Sequence, residues 1–227
     1  MPTFPLPQPS NRRERRSIEL RERIFRAALD LFAKQGFAET TVEDITNAAD
    51  VGKGTFFNYF PSKEHLLLAF AGMQLATLRL AVEEARHAPE PLLKFVRSLL
   101  VRMTAEPARN PDLIRGVLLA FLGNSEVRQA MRDLHVHVLD LHTQMVQIGQ
   151  ERGEVRTDLP AAEIALVFRQ AIFGTLLIWS LYGDDSLEKR LDSAFEIIWS
   201  GLSPRAPSNL SGSDAVPHSN KEKGLIP

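Results

Sequence analysis

The feature of this sequence that most constrains its fold is a helical spacing of apolar residues that proline or glycine interrupts repeatedly. The first such segment has apolar residues three and four positions apart, on one face of a helix: Ile24, Ala27, Ala28, Leu31 and Phe32. Breaks follow at positions 36, 61, 89–91, 107–111, 123–124, 153, 160 and 183. No alternating apolar run is typical of a strand. The pattern predicts an all-α fold of about nine helices.

The composition excludes several classes of protein. The chain has 227 residues and is 44% hydrophobic, which is enough for a packed core. It has no cysteine, so a disulfide framework, a thiolate metal site and a cysteine nucleophile are all excluded. The formal net charge of −1 argues against a strongly basic coat protein for nucleic acid, although it allows a local basic patch.

Motifs for catalysis, cofactors or metals are missing from the sequence. It has no Gly-rich phosphate loop, no G-x-S-x-G and no H-E-x-x-H, so we expect neither an enzyme nor a cofactor. Of His135, His137 and His142, only the first and last share a helix face, seven residues apart, so we expect no metal site. The apolar stretch 161–182 contains charged residues and predicts a buried helix rather than a membrane span. Without an apolar signal sequence, the chain is expected to be cytoplasmic and to have no membrane partner.

Residues 41–60, TVEDITNAADVGKGTFFNYF, have the pattern of two short helices joined by a tight turn at residues 50–52. Helices this short are unstable alone, so we expect both to pack on the first helix around shared apolar residues: Ile24, Leu31, Phe32, Val42, Ile45, Phe56 and Phe60. A helix-turn-helix unit of this size places one helix in the major groove of DNA. An ordinary helical hairpin inside a bundle is the alternative.

The outward face of the third helix carries residue types that contact DNA: Lys53, Thr55, Phe57, Asn58 and Tyr59. Asparagine can read adenine, lysine can read guanine or bind a phosphate, and a tyrosine hydroxyl can donate to a phosphate. Gly54 lets a backbone approach closely. Lys63, which begins the next helix after a predicted Ser62 cap, is expected to bind a phosphate near the helix N-terminus.

At these positions the sequence resembles the tetracycline-repressor (TetR) family of bacterial transcription regulators. The resemblance rests on RERIFRAALDLFAKQGF and TTVEDITNAADVGKGTFFNYFPSKEHLL, and it covers residues 20–68. Thr46 departs from a small alanine in the family pattern, Asp50 from the turn glycine, Gly52 from the serine cap of helix three, and Phe57 from a frequent tyrosine. The turn should survive, because aspartate tolerates a left-handed backbone.

The resemblance implies DNA contacts from the start of helix two, from helix three and from the helix after it: Thr41, Lys53, Gly54, Thr55, Phe57, Asn58, Tyr59 and Lys63. Thr41 is also expected to cap helix two, and the two roles are compatible. For Phe57, partial burial is the alternative.

The two ends of the chain differ from its body. Residues 1–26 carry seven arginines against three glutamates, and the tail is rich in serine, proline, glycine and asparagine. We expect Ser17 to cap the first helix. The domains predicted are a disordered Arg-rich arm (1–16), a helix-turn-helix head (17–62), an effector-binding and dimerisation domain (63–202) and a disordered tail (203–227). The arm either binds phosphates through Arg12, Arg13, Arg15 and Arg16 or is solvated.

By resemblance, residues 63–202 bind an effector and form a dimer. The segment 161–181 is apolar nearly all round, so we expect its own core to cover one side and a second copy another. The last helix, predicted to be capped by Asp185, would join it in an intermolecular four-helix bundle. The predicted interface residues are Phe168, Ile172, Phe195, Ile198 and Trp199. The candidate effector-lining residues suit a hydrophobic molecule: Met103, Phe121, Phe168, Phe173 and Trp179.

These features together predict a DNA-binding transcriptional regulator, a homodimer that binds a palindromic operator. Its partners are double-stranded DNA, a small hydrophobic effector and a second copy of itself. We expect a repressor that the effector releases, although the sequence allows an activator. The alternative is a helical-bundle enzyme or carrier of small molecules with an incidental basic head.

Overall fold

The computed structural model describes residues 11–183 and 186–204. Within these ranges the chain forms nine α-helices and no strand, which confirms the predicted all-α fold. The helices are α1 (Arg12–Gln35), α2 (Val42–Ala48), α3 (Lys53–Tyr59), α4 (Glu64–His87), α5 (Leu92–Arg109), α6 (Pro111–Gly123), α7 (Ser125–Glu151), α8 (Ala161–Tyr182) and α9 (Leu187–Leu202).

The first three helices form the head around four side chains that solvent does not reach or barely reaches: Phe32, Ile45, Phe56 and Phe60. Because α2 and α3 have only seven residues each, their own hydrogen bonds cannot keep them helical, and burial against α1 must supply the stability. Thr41 begins α2 with a capping box, in which its hydroxyl accepts from the Asp44 N–H at 3.1 Å.

The start of α1 differs from the prediction. The helix begins at Arg12, and the Asn11 side chain caps it by accepting from the Glu14 N–H at 2.9 Å. The expected Ser17 cap is therefore wrong. So is the expected disorder of residues 12–16, which continue the helix as good helix formers. Residues 1–10 lie outside the described part of the chain, as does the predicted tail from residue 205 onward.

A single helix, α4, belongs to two hydrophobic cores. Its first half contributes Leu66, Leu67, Phe70 and Met73 to the head core. Its second half contributes Leu78, Ala81, Val82 and Ala85 to a body core that α5, α7, α8 and α9 complete. Any change in how the body packs on α4 therefore reaches the head through a continuous helix.

Two helices, α4 and α8, are long and apolar enough to cross a membrane by length and composition. In α4 the buried apolar residues are those of the two cores, whereas Leu80 is exposed. For α8 only 22% of the most apolar window is buried within the protomer, so its own core covers one side of the helix and leaves another exposed. The rest of that surface, together with α9, is an exposed apolar face.

Helix α6 fastens the head to the body. Gly116 of α6 lies so close to Phe37 that a Cβ there would fall 2.9 Å from the ring. Asn110, just before α6, donates to the Leu29 carbonyl of α1 at 3.4 Å. Arg115 binds both the Asp112 carboxylate and the carbonyl of Ser180 in α8. Contacts of α6 thus reach from the end of α1 to the end of α8.

Lys63 holds the chain between α1 and α2 in place. It occupies the N-cap position of α4, which begins one residue later than predicted, and the Ser62 hydroxyl binds Glu64 and His65 side chains instead of capping the backbone. The Lys63 ammonium donates to the carbonyls of Phe37, Ala38 and Thr40 at 2.8, 3.0 and 2.8 Å. It also lies 4.6 Å from the Phe37 ring centroid.

Replacing Lys63 should therefore destabilise the head. In Lys63→Met the stem remains, but three carbonyls lose their charged donor, and we expect a loss of about 2 kcal/mol in the free energy of unfolding. Urea denaturation followed by circular dichroism measures the change. The control is Lys34→Met, an exposed lysine in the last turn of α1. Equal stability of the two variants would contradict this role.

Candidate nucleic-acid interface and ligand cavity

Helix α3 presents most of the predicted DNA-contacting residues on its outer side. Lys53, Gly54 and Asn58 are exposed, and Phe57 has 51% of its surface exposed, while Thr55 and Tyr59 are half-buried. Nothing lies within 4 Å of where a Cβ on Gly54 would stand, so this part of the helix is open to a close approach. Phe56 and Phe60 point the other way, into the head core. The head core thus fixes the orientation of α3, and the outer face of the helix is open to solvent.

The turn between α2 and α3 is stable without the glycine of the family pattern. Asp50 adopts φ of 49°, the one positive value of a non-glycine residue within the described ranges. Its carbonyl accepts from the Arg23 guanidinium of α1 at 3.3 Å, and the next N–H, of Val51, donates to the Thr46 carbonyl at 3.0 Å. Aspartate adopts this conformation more readily than most residues do, so the helices keep the predicted tight turn.

Thr41 is exposed at the start of α2, beside its cap. Its N–H and its hydroxyl both donate to the Asp44 carboxylate, at 2.9 and 2.8 Å. These two bonds, the backbone one first, lower the pKa of Asp44 below its ordinary value. The carboxylate is thus ionised and committed to the cap, which leaves the outer side of Thr41 accessible.

Lys53 has an exposed ion pair with Glu43 of α2, at 2.9 Å. An exposed pair of this kind contributes only about 0–1 kcal/mol, so a phosphate can replace the carboxylate at little cost. Lys63 is different, because its three donors already bind backbone carbonyls. The structure therefore gives Lys63 a role in holding the head together, in place of the expected phosphate contact.

The helix that carries the N-terminal arginines, α1, contacts the end of α3. The Ser17 hydroxyl and the Tyr59 hydroxyl are 3.1 Å apart, which ties the first turns of α1 to the end of α3. The four arginines precede Ser17 in the same helix, and all four are exposed: Arg12, Arg13, Arg15 and Arg16. Sequence patterns missed this arrangement, although the good helix formers after Asn11 were a signal for it.

The body core encloses a small apolar cavity of about 60 Å³, lined by residues of α4, α5, α7, α8 and α9. Of the predicted effector-lining residues, Met103 and Phe168 border it. Phe121 is half-buried near the end of α6, Phe173 is 46% exposed, and Trp179 is buried in a separate cluster with Leu187. These three do not border the cavity.

Several residues predicted for the dimer interface belong to the protomer's own core. Phe195 is fully buried, and Phe168 and Trp199 pack around it, with Trp199 bordering the cavity. Ile172 packs in the Trp179 cluster, and Ile198 is half-buried. The apolar residues that face outward are others: Val167, Phe173, Ile178, Leu181, Tyr182 and Ile197. The predicted cap Asp185 lies outside the described residues.

His142 is the polar ring at the cavity wall. It is half-buried, and its Nδ1 is shielded from solvent. Burial, and secondarily the charge of Arg169, lower the pKa of His142 to about 4. The imidazole is therefore neutral near pH 7. Among the described residues, no group of three potential metal ligands of His, Asp or Glu type is found.

Comparison with known proteins establishes the family. The sequence model described as "Bacterial regulatory proteins, tetR family" matches residues 24–70. Thermus thermophilus FadR, a TetR-family transcriptional repressor solved in complex with lauroyl-CoA, is 31% identical, with a TM-score of 0.61 over 83% of this chain and 98% of that one. This chain therefore belongs to the TetR family of transcriptional regulators.

Two curated relatives agree with this assignment. The HTH-type transcriptional repressor KstR of Mycolicibacterium smegmatis is 27% identical over 182 residues, which are 79% of this chain and 87% of that protein. The HTH-type transcriptional regulator YerO of Bacillus subtilis is 38% identical over 81 residues, or 34% of this chain, and the match spans only 28% of YerO. Both relatives carry the names of transcriptional regulators.

The depressed pKa of His142 predicts a pH dependence of stability. The unfolded imidazole takes up a proton below about pH 6.5 and the folded one only near pH 4, so acidification between these values favours unfolding, by up to about 3 kcal/mol. His142→Leu should remove this part of the loss, and His137→Gln, an exposed histidine of the same helix, should not. Urea titrations at pH 7 and pH 4.5 test it. Parallel losses in all three proteins would contradict the buried neutral imidazole.

Proposed function

We propose that this protein is a cytoplasmic, homodimeric transcriptional repressor that binds a palindromic operator and releases it when a small hydrophobic molecule enters the body. The proposal rests on the outer face of α3, which is exposed to solvent. On the opposite side of the helix, Phe56 and Phe60 are buried in the head core and hold α3 in place. In a chain of this family, such a face is suited to the major groove. The protein is a regulator by this account and not an enzyme.

On DNA, the exposed α3 residues divide into two roles. Asn58 and Lys53 have donors that suit base edges, and Lys53 also suits a phosphate once it leaves Glu43. Thr41, Thr55 and Tyr59 would make sugar and phosphate contacts, and Phe57 would offer an apolar surface to a thymine methyl group. Gly54 lets the helix approach the duplex closely.

The arginines of α1 would extend this interface along the backbone of the duplex. They lie in helical turns that Ser17 joins to Tyr59, so their position is tied to that of α3. Guanidinium groups at a protein surface attract phosphates and contribute affinity that depends on salt but not on sequence. Of the acidic residues of α2, Asp44 is held in the cap of that helix, and Glu43 forms an exposed ion pair with Lys53 in the absence of DNA.

The dimer would form on the exposed apolar face of α8 and α9. Along α8, Val167, Gly174, Ile178 and Leu181 follow one another at intervals of seven, four and three residues, so they share one side of the helix. A groove of about 540 Å³ separates Ile178 from Ile197 of α9. Apolar faces of this kind on paired helices associate as four-helix bundles about a two-fold axis.

The small size of the cavity supports a mechanism in which ligand binding releases DNA. About 60 Å³ is far below the roughly 300–1,000 Å³ of ordinary ligand sites, so a ligand must push the surrounding helices apart. Leu78 of α4 borders the cavity, and the first half of the same helix lies in the head core. A shift of α4 would change the distance between the two recognition helices from the ~34 Å that one turn of DNA requires.

Two substitutions on α3 test DNA binding. Lys53→Ala should weaken binding to every sequence and lower the salt slope by about one ion per protomer, because a phosphate contact is lost. Asn58→Ala should instead change which base is preferred within the site. The probe is a duplex that the wild-type chain selects from a random library, and fluorescence anisotropy across salt concentrations gives the slopes. Wild-type affinity and preference in both variants would contradict this interface; Lys34→Ala is the control.

The oligomeric state tests the α8–α9 face. Ile197 is 73% exposed in the protomer, and Ile197→Glu would bury a charge in the proposed dimer at a cost of several kcal/mol. Sedimentation velocity should find the wild type dimeric and this variant monomeric. The control Leu80→Glu changes an exposed leucine of α4 and should stay dimeric. A dimer that persists in Ile197→Glu would place the interface elsewhere.

A further inference from the structure

Arg169 is a half-buried cation of α8 with no counterion. None of the ion pairs in the described part of the chain includes it, and its Nε is buried without a hydrogen-bond partner. Burial lowers the pKa of its guanidinium. Charges inside proteins are nearly always paired, because desolvation costs more than a lone charge recovers. No carboxylate among the described residues forms an ion pair with this partly buried guanidinium, so its charge is available to a bound anion.

Two histidines of α7 flank this arginine. The Arg169 Nη2 lies 3.3 Å from His135 Nε2, and a guanidinium can only donate, so this imidazole is the acceptor and is neutral. The pKa of His135 is lowered by burial and then by the Arg169 charge, and the same two causes act on His142. The cluster of Arg169, His135 and His142 thus carries one positive charge, together with imidazole N–H groups that can donate.

The same cluster meets the apolar cavity at one end and solvent at the other. His142 borders the cavity, and its ring lies 6.5 Å from that of Phe168. His135 is exposed, two helical turns away on α7. A molecule with its apolar part in the cavity would therefore have its end beside His142 and Arg169.

We propose that Arg169, His135 and His142 form an anion subsite, and that the effector is an amphipathic carboxylate whose apolar chain enters the cavity. The carboxylate takes a charge-assisted hydrogen bond from the guanidinium and a further one from a neutral imidazole. Its negative charge balances that of Arg169. This inference rests on the proposed regulatory function and adds the chemical class of the effector.

The test compares three probes that share a twelve-carbon chain and differ in the head group: dodecanoate, dodecanol and dodecyltrimethylammonium. Isothermal titration calorimetry with the full-length chain measures binding, below the micellar concentrations of the two charged probes and below the solubility limit of dodecanol. We expect dodecanoate to bind at least about tenfold more tightly than dodecanol, because a charged hydrogen bond is added, and the cation to bind least. Failure of dodecanoate to bind, or equal affinity for dodecanoate and dodecanol, would overturn the proposal.

Variants assign the preference to the subsite. Arg169→Met should lower the affinity for dodecanoate about tenfold or more and leave that for dodecanol unchanged, since only the charged contact is removed. Arg169→Lys keeps a cation and should retain most of the preference, which shows that the effect is not one of folding. The control Arg132→Met removes an exposed arginine of α7 and should bind all three probes as the wild type does. A preference that survives in Arg169→Met would contradict the subsite.

The same proteins separate this inference from the proposed function. Each variant is also titrated with the duplex that the wild-type chain selects, in the absence of any probe. If the wild-type chain binds that duplex but shows no preference for dodecanoate, only the anion subsite is wrong. If no duplex is selected, the regulatory function itself fails, whatever the probes do.

Discussion

The sharing of α4 between two hydrophobic cores is the constraint on which the rest of the structure depends. The two helices that form the helix-turn-helix are seven residues long and are stable only when packed against α1 and the first half of α4. The second half of α4 is held by the body. Because α4 is one continuous helix, a tilt of its second half moves its first half as well, so the packing of the body on α4 affects the position of α3.

Two further contacts fix the position of the head relative to the body. Lys63 closes the loop before α2 by binding three carbonyls, and Phe37 of the same region packs against Gly116 of α6. Through Arg115, α6 is in turn bound to the carbonyl of Ser180 near the end of α8. The head is thus fixed at two places, along α4 and through α6. Both connections lead to helices that surround the cavity or carry the exposed apolar face.

Much of the fold could be predicted from the sequence, because helix periodicity and breaks are local. The turn at Asp50 and the cap at Thr41 depend only on nearby residues, and both were predictable. The role of Lys63 could not be predicted, because its partners lie 23 to 26 positions away in the sequence. The local pattern suits a phosphate contact equally well. Asn11 is a favourable N-cap residue and indicates that α1 begins at Arg12, whereas the arginine-rich composition of residues 12–16 suggested a disordered arm.

The sequence could not predict which sides of α8 and α9 face the protomer's own core and which face outward. Helix α8 is apolar on nearly every side, so periodicity cannot say which side meets the core. Phe195 and Trp199 pack inside the protomer, while Ile197 between them is exposed. Which sides are buried depends on how α5 and α7 pack against these helices, and such contacts join residues far apart in the sequence.

The absence of cysteine allows the most direct test of the central claim that two heads are held at a fixed spacing in a dimer. Ala48 is the exposed last residue of α2, and Ala48→Cys places one spin label in each protomer. Double electron–electron resonance then measures the distance between the two labels on the selected duplex. The account predicts one narrow distance distribution. A missing dipolar signal, or a broad distribution on DNA, would contradict it.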